Sequence, residues 1–546
     1  MVGGVTVARC VPDDDARRLI TWEAWWDHND ERFLDRRRVG SRALGGTTPG
    51  LGNEVDGVAL AARLREQTRQ DALPMLLVAL TDASAPVRAA AAIALGRAAD
   101  SEDVGAYEAL VKALGDPDGD VRSAACIALG LTGSEAAIER LLAVARDDAS
   151  GRSLVGRQYV LPLTRSHAAV ALGLIGYRHG LPNDVQSELL AMAYGNGADQ
   201  ELQVGATTAL QLLSRQDAVP GLMAMATDDR FDDVVRSHAA VGLAKLGART
   251  AIAPLRNLVS DASPLVSYSS IIALGLLADA DDKESVAFLR NRATKGGDGA
   301  SRSLSLMALA EVGGASARAA ILEALSKAKL ADERAFAALA AGVTAALHPE
   351  DLQYLQAALA KAFRVERNIS VRCALALSMG LSRCGDALDD LHRALADTAE
   401  PQLQGYAAVA LGLLGDQQAS EALRILVAQR RDPVLRERAS LALGLLKDPQ
   451  GSTAVARAAM DSKSSMAFLS ATLRGLGYAG DGASVEFLRE FVENRKRNHA
   501  DLTRLAAVRA MGLLADKDHV PLLSRLQESS NYMAQTELLA RLFAID

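Results

Sequence analysis

Val87-Arg-Ala-Ala-Ala-Ala-Ile-Ala-Leu-Gly96 returns 34 residues later as Val121-Arg-Ser-Ala-Ala-Cys-Ile-Ala-Leu-Gly130. A phrase that recurs at such an interval marks a supersecondary unit copied along the chain. Anchored on the closing glycine, the column runs Gly96, Gly130, Gly173, Gln211, Ala244, Gly275, Ala310, Gly342, Gly380, Gly412, Gly444, Gly475 and Gly512. The mean spacing is about 35 residues, within the range of stacked repeats. Arg165-Ser-His-Ala-Ala-Val170 also reappears unchanged as Arg236-Ser-His-Ala-Ala-Val241, as duplication would leave it.

Within a unit the apolar spacing is helical. Leu73, Leu76, Leu77 and Leu80 form one stripe, and Val87, Ala91, Ala94 and Leu95 form the next. Thr81 to Pro86 supplies the turn between them, with Pro86 suited to a first helical turn. Each unit is therefore a helical hairpin. Ala90, Ala91, Ala94 and Gly96 keep its second helix slim enough for close stacking. The fold expected is all-α: an armadillo-like α-solenoid of about 13 hairpins, read as an elongated open array. Residues 1–57 are its capping helix and Gly-rich linker, and 58–546 the solenoid, closed by an amphipathic helix at Glu537–Ile545.

The pattern resembles HEAT repeats, especially the short bacterial type also found in phycobilisome-lyase-like proteins, over roughly residues 70–540. The Trp and Gly-Tyr pattern of tetratricopeptide repeats and the Thr-Pro-Leu-His of ankyrin are missing.

Eight residues before the column stand Arg88, Arg122, Arg165, Arg236, Arg302, Arg334, Arg372, Arg436 and Arg504. Aspartates recur at the preceding turns, at Asp82, Asp116, Asp148, Asp228, Asp261, Asp397 and Asp432. A guanidinium fork binds phosphate or carboxylate equally well. Because the acids repeat in phase, a structural ladder between neighbouring repeats is favoured over a strip for an anionic partner. The resemblance to HEAT repeats, which use such residue types to tie neighbours, points the same way.

Departures from the spacing are where recognition can be added. The largest, Ala149–Leu163, lengthens a connection between helices and offers Arg152, Arg157, Tyr159 and Leu161 as candidate partner contacts. An insertion that merely packs against the array is the alternative. Lesser interruptions are Tyr177–Gln200, which brackets a further helix, the stretch around Arg364–Asn368, and Arg495-Lys-Arg497.

Ahead of the repeats, Trp22-Glu-Ala-Trp25-Trp26 holds all three tryptophans of the chain and shares a helical face with Phe33. This segment is similar to the Trp-rich leader ahead of HEAT arrays in exported planctomycete-type bacterial proteins. Two roles stay open for Trp22, Trp25 and Trp26: sealing the first repeat of an open array, or docking a partner.

No catalytic constellation emerges. The eight histidines contain no His-x-x-x-His pair and no His-Glu doublet, so the iron site of HEAT-like deoxyhypusine hydroxylases has no counterpart. His167 and His238 share one repeat position and are read as stack residues before ligands. Cys126 and Cys373 replace small core residues, and the four cysteines form no C-x-x-C pair. No metal, cofactor or catalytic residue is expected.

A net charge of −7 supplies no global field for nucleic acid, and no apolar run is long enough to span a bilayer. The chain as given shows no export address, which reads as cytoplasmic, or as exported if a leader was removed. The expected function is a non-catalytic scaffold or adaptor for partner proteins. A phycobilisome-lyase-like chaperone or lyase and a nucleic-acid-binding HEAT-like module are the alternatives.

Overall fold

The computed structural model describes residues 21–34, 54–195, 199–429, 432–459, 466–479, 482–493, 501–518, 531, 533, 534 and 536. The Glu537–Ile545 helix, the Arg495–Arg497 run and residues 39–53 of the expected linker lie outside these. Residues 54–57, read as linker, are the first turn of the helix Glu54–Ala79.

Among the described residues the secondary structure is helical throughout. A short helix α1, Trp22–Asn29, precedes the repeats. Each repeat then pairs an outer helix with an inner one. We number the inner helices α2 (Ala85–Ala98), α3 (Gly119–Thr132), α4 (Pro162–His179), α5 (Gln200–Leu212), α6 (Asp233–Lys245), α7 (Pro264–Leu277), α8 (Gly299–Val312), α9 (Ala331–Leu347), α10 (Ile369–Leu381), α11 (Pro401–Leu414), α12 (Pro433–Leu446), α13 (Met466–Ala479) and α14 (Asp501–Leu514).

Turn chemistry starts these helices where the sequence places it. Proline occupies the first turn of α2, α4, α7, α11 and α12. The Asp118 carboxylate accepts from Asp120 N and Val121 N to cap α3, and Asp298 and Asp432 cap α8 and α12 in the same way. Inner helices are apolar around most of their circumference, and in α2 every residue from Ala89 to Ala98 is buried. A helix of that kind must be surrounded on all sides. The outer helices cover one flank and neighbouring inner helices two more, and the fourth faces the ring's central lumen, where the segments before and after the repeats pack on several of them.

The glycine column sets how closely inner helices stack. A Cβ added at Gly96 would stand 2.6 Å from the Cα of Ala128, and one at Gly173 would stand 2.6 Å from that of Ala209. Gly275 meets Ala308 at 2.5 Å and Gly380 meets Ala410 at 2.6 Å by the same measure. Where Gln211 breaks the column, its amide lies 2.8 Å from the Cβ position of Gly242, so glycine moves to the opposing helix and the sizes exchange.

The array closes on itself. Helix α14 packs against α2 as any inner helix packs against its neighbour, and the outer helix Gly482–Glu493 packs against Glu54–Ala79. A Cβ on Gly512 would meet the Cβ of Ala94 at 2.7 Å, so the glycine–alanine step that runs between successive repeats also joins the last to the first. Beyond α14, Lys517 donates to Gly96 O at 2.8 Å and Leu131 O at 2.9 Å, capping carbonyls at the ends of α2 and α3. Asp518 pairs with Arg178. Burial pulls the Lys517 ammonium down to about 8.

Closure corrects the elongated open array expected from the sequence. Per-repeat rotation sets the curvature of a solenoid, and here it accumulates to a full turn. No single repeat shows that total, so local pattern could not reveal it.

Candidate functional site

The column arginines lie where inner helices begin, and most reach toward the next repeat. Arg88 makes a two-pronged pair with Asp116, at 2.9 and 2.8 Å, while donating to Asp82 O and Ala83 O in its own turn. Arg236 pairs with Asp261, Arg302 with Glu333 and Arg334 with Glu366. Arg504 continues the series across the ring seam, pairing with Asp82 at 2.9 Å.

The others find different acceptors. Arg122 donates to Asp116 O and Pro117 O, and Arg165 to Ala145 O. Arg436 donates to Thr472 Oγ1, and Arg372 lies over the Phe363 ring. Of the turn aspartates, Asp82, Asp116 and Asp261 meet column arginines. Asp148, Asp397 and Asp432 accept backbone N–H groups of their own turns, and Asp228 pairs with Arg230.

The lumen holds the Trp-rich segment. Trp22, Trp25 and Trp26 are only 2%, 5% and 4% exposed. The Trp22 indole stacks obliquely on Tyr406, with centroids 4.9 Å apart, and its Nε1 donates to Ser370 Oγ at 2.8 Å. Phe33 packs beside Trp25 and Trp26. At the far end, Arg32 forms a two-pronged pair with Glu311 at 2.6 and 2.9 Å. The segment thus reaches from α10 and α11 to α8.

Neither role weighed for these tryptophans fits that position. Among the described residues α14 covers the flank of α2 that an open array would leave bare, and the tryptophans lie away from it, on α8 to α11; rings this deeply buried are no open docking patch. Beside α1 lies a cavity of about 200 Å³ lined by Trp25, His28, Arg32, Ile272, Leu304 and Met307, among others.

Asn531 and Ala534 of the C-terminal segment also pack inside the ring, on α6 and α7. Asn531 Nδ2 donates to Ser269 Oγ at 2.8 Å and Ser237 O at 3.2 Å. His238 Nε2 stands 2.7 Å from Ala534 O, and burial holds its imidazole down at about 4. Its repeat counterpart His167 is also buried, with Nδ1 2.7 Å from Leu163 O.

A histidine depressed in the folded state leaves the unfolded chain to take up the proton first. Its contribution is complete above about 6.5 and is lost as pH falls from there to about 4, for a total of about 3 kcal/mol. Half-buried Glu23, raised chiefly by that burial, acts in the opposite sense. Comparison with a variant isolates the histidine. Denaturant titrations at pH 7 and 4.5 should show a smaller acid-induced loss in His238→Gln than in the parent chain, and equal losses would refute this assignment.

The Ala149–Leu163 insertion carries the short helix Ala149–Val155 on the outer surface. It is pinned from below. Val155 and Val160 are buried, Asp148 caps the helix through Gly151 N, and Asp147 accepts from both Arg152 and Val160 N. Arg157 donates to Gly156 O and Pro117 O. Tyr159 and Leu161 point outward, 61% and 38% exposed. The helix expected within Tyr177–Gln200 is Asn183–Tyr194, the outer helix of the α5 repeat.

The described cysteines carry no activation. Burial pushes Cys126 and Cys373 up to about 12, far from a thiolate at neutral pH. Among the described residues no group of three His, Cys, Asp or Glu is placed to hold a metal ion, and no helix is long and apolar enough to cross a membrane.

The family model for HEAT repeats matches residues 73–155, 187–275, 230–310 and 357–444, together more than half the chain. The chain is a HEAT-repeat protein. No curated protein matches it. Among solved structures, the E. coli protein YibA is 14% identical, with 48% of this chain and 95% of that chain covered and a TM-score of 0.32. Human deoxyhypusine hydroxylase in complex with glycerol is 18% identical, with 58% and 98% covered and a TM-score of 0.22. Kap121p bound to Pho4p is 12% identical, with 88% and 56% covered and a TM-score of 0.37. The HEAT chain thus spans about half the length of Kap121p.

Proposed function

We propose that this HEAT-repeat ring is a non-catalytic scaffold or adaptor that binds a partner protein on its outer surface, through the Ala149–Leu163 insertion. The observation that carries the reading is Tyr159 held 61% exposed on a loop whose backbone is pinned from beneath. A preformed loop loses little freedom when it binds, and exposed tyrosine beside arginine is the composition of binding hot spots. The lumen supports an outward-facing mode as well, since the Trp-rich and C-terminal segments already occupy part of the concave side.

The test is capture from a source lysate by the full chain, compared with Tyr159→Ala and Tyr354→Ala. Tyr354, 52% exposed on an outer helix, serves as the control. Tyr159→Ala should reduce recovery of specific partners at least about tenfold while Tyr354→Ala leaves it intact, because a hot-spot truncation costs about 2 kcal/mol. Equal recovery by both variants would remove the insertion from the binding surface.

A further inference from the structure

The Trp22–Leu34 segment sits in the lumen in the manner of a bound peptide. Its helix α1 has eight residues, too short to be stable by itself in water. Its polar anchors reach side chains of the ring: Trp22 Nε1 to Ser370, and Arg32 to Glu311. The glycine–alanine steps that build the ring, such as Gly380 against Ala410, lie between inner helices and do not involve it. The seat is also imperfectly filled, with the 200 Å³ cavity left beside Trp25 and Arg32. Glu23 is half-buried against the ring beside Ser370, and that burial makes its charged form costly. These are the marks of a ligand held by tethering more than by an optimal fit.

We propose that the lumen is a peptide-recognition channel for a short helix bearing Trp-x-x-Trp-Trp and a downstream arginine, that the chain's own segment is its tethered occupant, and that the same segment from a second copy of this chain can take its place. This is independent of the outer-surface reading, because no residue of the insertion takes part. Recognition is divided between the two ends. The Tyr406 and Ser370 side receives the first tryptophan, and Glu311 selects the arginine. Joined through residues 35–53, the resident segment has an effective concentration on the order of millimolar. A free peptide of micromolar intrinsic affinity is then excluded from the intact chain by roughly a thousandfold.

The experiment uses full-length chain and a fluorescent peptide spanning residues 21–34, read by anisotropy. The Trp22→Ala, Trp25→Ala, Trp26→Ala triple variant empties the seat and should bind the peptide at micromolar concentration, at least 100-fold more tightly than the intact chain. Circular dichroism establishes that the ring remains helical. If the triple variant does not fold, Glu311→Arg supplies a second arm. There the resident Arg32 faces a like charge and is weakened, and the peptide carrying Arg32→Glu should bind more tightly than the unaltered peptide.

Several outcomes overturn the proposal: no binding to a folded triple variant, equal binding to variant and parent, equal binding of a scrambled peptide, or no preference in the charge-reversal arm. Loss of partner capture by Tyr159→Ala leaves this result unchanged, so the two ideas fail separately.

Discussion

Gly512→Val is expected to open the ring at its seam. The first atom of the new side chain would fall 2.7 Å from the Cβ and 2.9 Å from the Cα of Ala94, and two methyl groups would follow. Backbone cannot yield as a flexible side chain can, so the helices must part, at a cost of about 3 kcal/mol or more. Gly275→Val produces a comparable collision with Ala308, with its Cβ 2.5 Å from that Cα. The two positions differ in covalent connection. The repeats of Gly275 and Ala308 are consecutive in the chain, whereas α14 and α2 are held by non-covalent contacts such as Arg504–Asp82 and the Lys517 bonds to Gly96 and Leu131. Small-angle scattering should therefore show a larger radius of gyration for Gly512→Val, and a lower melting temperature without ring opening for Gly275→Val. Identical scattering from Gly512→Val and the parent chain would mean that the seam tolerates the added volume.

Trp22→Ala should release α1 from the lumen. The substitution removes the largest fully buried side chain, its contact with Tyr406 and its bond to Ser370. Truncation of a buried tryptophan costs about 3–5 kcal/mol, comparable to the whole advantage that a tethered micromolar site has over its empty state. All three tryptophans of the chain belong to this segment, so the emission of Trp25 and Trp26 reports its position without interference. A red shift toward water-exposed indole, with helical content retained, is the expected result. Unshifted emission would show that Trp25, Trp26 and the Arg32–Glu311 pair hold the segment without Trp22.

The hairpins were legible because their determinants are local. Pro86 to Gly96 carries its own helical period, its small residues and its proline start, and the same pattern returns along the chain. The arginine column was equally plain at fixed spacing, and so was the helix between Tyr177 and Gln200. The meeting of Arg504 with Asp82 was not, because 422 residues separate them and their approach depends on a small rotation summed over every repeat. The tryptophans show the same limit. Their clustering on one helical face was evident, but the surface that receives them is assembled from Glu311, Ser370 and Tyr406, which no motif connects. The exchange of Gln211 with Gly242 was likewise invisible, because only packing sets the two positions against each other.

Joining the last repeat to the first also changes how such a molecule comes apart. In a linear array a terminal unit has one neighbour, so melting begins there and runs inward by fraying. Here every unit has two neighbours, and the first to leave must surrender both interfaces before any chain entropy is released. That raises the threshold for partial unfolding, and it makes the Arg504–Asp82 seam the natural point of failure under load, like the clasp of a bracelet.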